Sequence, residues 1–69
     1  MDRQPVASST IVSVGYDEAT ALLEVEFRQG RVYHYFDVPR PHYEALLTAS
    51  SPNGYLNDNV KPYFRCSRS

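Results

Sequence analysis

A chain of 69 residues buries only about 60% of the surface its unfolded form exposes, so it supports one small core. Apolar residues at 42% and charged residues at 22% fit a globular domain, which excludes a disordered chain. With seven basic against eight acidic residues the formal net charge is -1, and any contact with a polyanion then requires a local basic patch.

The first segment, residues 1–7, is polar, proline-bearing and without pattern, and residues 66–69 close the chain in the same way. Both are expected to be disordered tails around a single domain spanning residues 8–65. The first ten residues contain no continuous apolar stretch and no run approaches a membrane span, so neither a signal peptide nor an anchor is expected. Cys66 is the only cysteine, so no disulfide can form within the chain, and a cytoplasmic location is the default expectation.

From Ser9 the string STIVSVGYD is rich in β-branched residues and reads as a strand. Ile11, Val14 and Tyr16 do not alternate strictly, which predicts a bulge before Gly15. Residues 17–20 read as a turn. In LLEVEF, Leu23, Val25 and Phe27 share one face while Leu22, Glu24 and Glu26 share the other, the pattern of a half-solvated antiparallel strand. Gly30 suits a tight connection into VYHYFDV, the third strand, because glycine adopts positive φ without a Cβ clash.

After Pro39 and Pro41 the period changes, and Tyr43, Leu46 and Leu47 fall at helical spacing. A helix of about three turns is predicted, ending near Ser50 or Ser51. The following PNG reads as a turn with Gly54 in a left-handed position. Residues 60–65 read as an extended segment that, with Pro62, could only be an edge strand. The expected architecture is therefore α+β: a three-stranded antiparallel meander, one packed helix, and a C-terminal extended segment or edge strand.

The order of these signals resembles the KTSC domain from Ser8 to about Arg65. The resemblance rests on Gly15-Tyr16-Asp17, the Phe27-x-x-Gly30 turn, Tyr33-x-Tyr35, Val38-Pro39, and Gly54-Tyr55-Leu56-Asn57 leading to Val60-Lys61 and Tyr63. This family is named for a module at the C-terminus of some lysyl-tRNA synthetases and also occurs free-standing. The resemblance implies an accessory domain without established chemistry and an RNA-related partner.

The residues themselves offer little for catalysis. His34, His42 and Cys66 lack the spacing of a zinc-ligand pair, so both histidines are assigned structural or surface roles and no metal is expected. Cys66 lies in a tail where nothing can lower its thiol pKa, and Glu24 and Glu26 read as solvated charges on an exposed strand face. Three isolated glycines do not form a phosphate-binding loop. No catalytic residue, cofactor or small-molecule substrate is expected, and the chain reads as a non-enzymatic module.

Tyr16, Phe27, Tyr35 and Tyr43 share faces with aliphatic residues and are expected in the core. Tyr55, Lys61, Tyr63 and Arg65 differ, because they interleave rings and cations at a period that would bring them to one extended face. Such a face suits single-stranded RNA or tRNA, with a cation for each phosphate and a ring for a base. Arg28, Arg31 and Arg40 are candidates to extend it. The competing expectation is a protein partner, or a second copy of the chain, added to an exposed sheet edge.

Overall fold

The computed structural model describes residues 2–68. Seven elements follow in order: β1 (Arg3–Pro5), β2 (Ile11–Asp17), β3 (Leu22–Phe27), β4 (Val32–Tyr35), α1 (Arg40–Thr48), α2 (Pro52–Asn59) and β5 (Cys66–Arg68). The strands form one antiparallel sheet in the order β1-β2-β3-β4-β5. The class is α+β as expected, and β2, β3 and β4 form the expected meander, with a second helix and two further strands added to it. Among the described residues no helix is long and apolar enough to cross a membrane.

Both end segments differ from the expected tails, because each contains an edge strand. Arg3–Pro5 pairs with β2, and Cys66–Arg68 pairs with β4 with Tyr35 opposite Cys66. Backbone pairing, rather than buried side chains, holds these residues, since all six are exposed. That is why hydropathy carries no trace of them.

The β2 bulge falls at Val12, where the register against β3 shifts between Ile11 and Ser13. One extra residue there allows Ile11 and Val14, three apart, to point to the same side, and both are fully buried. Leu23 and Val25 follow on β3 and Tyr35 on β4. The core is completed by Val38 and by Leu46, Leu56 and Val60 from the helical segment. Of the four rings expected in the core, Tyr35 alone is fully enclosed; Tyr16, Phe27 and Tyr43 pack half-buried against its margin. Tyr16 and Tyr43 stack with centroids 5.5 Å apart, joining β2 to α1.

Gly30 has φ of +79°, and the turn closes through the Gly30 N–H donating to the Phe27 carbonyl and the Phe27 N–H donating to the Arg31 carbonyl. A Cβ at Gly30 would meet no atom within 4 Å, so the obstacle to substitution is the backbone angle alone. Gly30→Val should therefore destabilise the domain by roughly 1–3 kcal/mol in chemical denaturation. An unchanged midpoint and slope would show that the turn does not depend on that angle.

The PNG segment is not a turn. Ser51 caps α2, its Oγ accepting from the Gly54 N–H at 3.3 Å, and Pro52 occupies the first turn, where a missing N–H costs nothing. Gly54 is helical, not left-handed. Leu56 and Val60, four apart, are fully buried, so packing holds a helix that intrinsic propensity opposes. Residues 60–64 then turn, the Tyr63 and Phe64 N–H groups both donating to the Val60 carbonyl. The final strand begins at Cys66, not at Val60.

A candidate nucleic-acid interface

Because residues 60–64 turn instead of extending, Tyr55, Lys61, Tyr63 and Arg65 do not share a strand face. Tyr55 lies on α2, where its hydroxyl is 2.8 Å from His42 Nδ1. Tyr63 is 73% exposed. The Arg65 guanidinium sits over the Phe36 ring at 5.8 Å, while Lys61 reaches the other way and places Nζ 5.7 Å from the Phe27 centroid. Of the four, Lys61 alone lines the cavity beside the β3–β4 turn.

That cavity has a volume of about 510 Å³ and lies between the β3–β4 turn, the segment before β2, and α2. Phe27 and Tyr33 line it, packed edge to face with centroids 5.4 Å apart. Arg28, Gln29 and Arg31 come from the turn, Asn53, Asn57 and Lys61 from α2 and the residues after it, and Ser9 and Thr10 from the approach to β2. Among the described residues no carboxylate lines it. Among the described residues Arg28, Arg31 and Lys61 form no ion pair. Arg28 is oriented by Nη2 donating to the Ser8 carbonyl at 2.9 Å, which leaves its other N–H groups for a ligand.

The remaining candidates are occupied elsewhere. Arg40 bonds to Glu18 and Glu44 and stands over the Tyr43 and Tyr16 rings. Its guanidinium pKa is raised, chiefly by the hydrogen bond to Glu44; desolvation opposes this, and the charges of Glu18 and Glu44 add to it. Arg3 bridges Glu24 at 3.1 Å and Glu26 at 3.4 Å. Glu24 also meets His34 Nε2 at 2.9 Å, and Glu26 accepts from Ser13 Oγ at 3.0 Å. Glu24 and Glu26 are thus not simple solvated charges. They hold β1 and β4 across the face of the sheet away from the helices. Among the described residues no three His, Cys, Asp or Glu side chains converge on a possible metal position.

The segregation of charge answers how a chain of net charge -1 can present a basic surface: the carboxylates hold Arg3 and Arg40, while three cations face one cavity without them. Arg28, Gln29 and Arg31 flank Gly30 between the two rings, and this basic turn bracketed by aromatics is the signal in the sequence for that half of the site. Asn53, in the PNG that reads as a turn, and Asn57, in the irregular or extended stretch after it, carry no comparable signal.

The family model described as KTSC domain matches residues 7–64. The chain belongs to the KTSC domain family. A KTSC domain protein of Yersinia pestis has the same fold, with a TM-score of 0.90 and 38% identity, the match covering 99% of this chain and 96% of that one. Its extent carries the likeness beyond residues 7–64, across the segments that contain the two edge strands. Among curated proteins, a protein of Tsukamurella paurometabola is 44% identical, covering 90% of this chain and 92% of its own. A lysine–tRNA ligase of Nostoc punctiforme is 37% identical over 57 residues, which are 83% of this chain but 10% of the ligase. The KTSC domain is therefore similar both to short proteins of its own length and to a small part of a much longer one.

Proposed function

We propose that the chain is a non-enzymatic binding module that takes RNA, either single-stranded or the unpaired parts of a tRNA, in the cavity between the β3–β4 turn and α2. The observation that carries this reading is the convergence of Arg28, Arg31 and Lys61 beside the Phe27–Tyr33 pair with no carboxylate among them. Cations neutralise phosphates and a ring offers a stacking surface to a base, the combination single-stranded nucleic acid requires. Similarity to part of a lysine–tRNA ligase supports an RNA partner, and a cytoplasmic location accords with it. Tyr55, Tyr63 and Arg65 lie outside the cavity lining, Tyr63 being largely exposed. Strand addition at an edge is less favoured. Each edge strand has three residues, with Arg3 and Pro5 on one and Arg68 on the other, features that discourage pairing.

Titration of a single-stranded uridine octamer into isotope-labelled protein at low salt tests the reading. Amide shifts are expected at residues 27–33 and 53–61. With about three phosphates neutralised, affinity should fall about a hundredfold for a tenfold rise in salt. An unchanged spectrum at low salt would refute the proposal, because attraction to phosphate is strongest there.

A further inference from the structure

Resting on the RNA reading, we infer that the cavity accepts one unpaired nucleotide and that Asn53 and Asn57 read its base as adenine. Its volume of about 510 Å³ lies within the range of roughly 300–1,000 Å³ typical of small-molecule sites, room for a single nucleotide and far too little for a duplex. The two asparagines are four residues apart on α2, which brings them to the same side of the helix, and both line the cavity. Among the described residues neither carboxamide makes a hydrogen bond: the side-chain hydrogen bonds of α2 belong to Tyr55 and Asn59. Cations and carboxamides thus occupy different walls. Arg28 and Arg31 stand on the strand-turn side, and the asparagines stand on the helix side with Lys61 just beyond.

A carboxamide offers a donor and an acceptor side by side, matching the amino group and ring nitrogen that adenine presents together, and this pairing is the usual one for asparagine with adenine. Tyr33 supplies the stacking ring, because the Phe27 face is occupied by the Lys61 ammonium. A duplex would present neither a free ring face nor its base edges to such a site.

Fluorescence anisotropy with a uridine octamer and with the same octamer carrying one central adenine tests the inference. The adenine-containing RNA should bind about tenfold tighter, in keeping with one good carboxamide–base pair. Asn53→Ala with Asn57→Ala should bring the ratio of the two affinities, measured on the same variant, from about tenfold to within about twofold, with the salt dependence retained because no cation is removed. Circular dichroism monitors folding, and Asn57→Ala alone, at an exposed position, provides a milder variant that should lose part of the preference. Equal binding of the two RNAs by the wild type, or an adenine preference that survives the double substitution, would overturn base reading and leave the RNA proposal standing. Failure of both RNAs to bind at low salt would overturn both.

Discussion

Tyr35→Ala is expected to unfold the domain. Tyr35 is 2% exposed and is the largest fully enclosed side chain, lying opposite Leu23 on one side and Cys66 on the other. Deleting a buried ring costs about 3–5 kcal/mol through lost transfer energy and the cavity left behind. At roughly 0.05–0.15 kcal/mol per residue, a chain this short has a total stability of about 3–10 kcal/mol, so the deletion removes a large part or all of it. Circular dichroism melting of the variant should show no cooperative transition, and a transition within a few degrees of wild type would place the ring outside the core. The hydroxyl provides an independent measure. Burial pushes its pKa from 10.0 to about 12, with the Cys66 and Tyr33 charges adding to the effect. The folded state holds this proton more tightly than the unfolded state does. Its contribution is therefore complete below pH 10 and is lost as pH rises towards 12, at about 1.4 kcal/mol per pH unit. Tyr35→Phe should remove that part of the alkaline loss while preserving the fold.

Arg31→Glu with Lys61→Glu should reduce RNA affinity by about 10²–10³-fold at low salt, since each change both removes a phosphate contact and adds a repelling charge. Stability should change little, because neither residue is in an ion pair among the described residues and both are exposed. Arg65→Glu provides the contrast. It carries the same change in charge per site but sits over Phe36, outside the cavity, and should retain most of the affinity. An equal loss from Arg65→Glu alone would move the interface to the face expected from the sequence. The readout is an anisotropy titration at one fixed low salt concentration.

The meander was legible because its determinants are local. Alternation in LLEVEF and the angle demanded at Gly30 are properties of a few adjacent residues, and even the bulge showed itself in the spacing of Ile11 and Val14. The second helix was concealed because proline, asparagine and glycine each favour turns, and only burial of Leu56 and Val60 against the sheet outweighs that preference. A serine followed directly by proline, the pattern of a cap and first turn, was the local sign available. The edge strands carry no hydropathy pattern, being exposed and held by backbone pairing and, for β1, by the ion pairs of Arg3 with Glu24 and Glu26. Of the site, Lys61 stands out in the sequence only through a period of two, and residues 60–64 turn instead of extending. Arg28 and Arg31 were noted as cations near a hairpin, but their position opposite Asn53 and Asn57 depends on how α2 docks against that turn. Such a relation between distant segments is tertiary, and no window of sequence contains it.

The strand order β1-β2-β3-β4-β5 has a consequence for joining this unit to other chains. The terminal strands β1 and β5 are the two opposite margins of the sheet, with three strands between them. Insertion into a host loop would have to connect to both margins, whereas insertion is easiest when the two ends lie together. Tethering at one end imposes no such demand, and the β3–β4 turn and α2 would then remain clear of a carrier attached through either margin. The architecture is thus suited to a pendant position, where the weak grip proposed for the cavity would be multiplied by the local concentration that a tether creates.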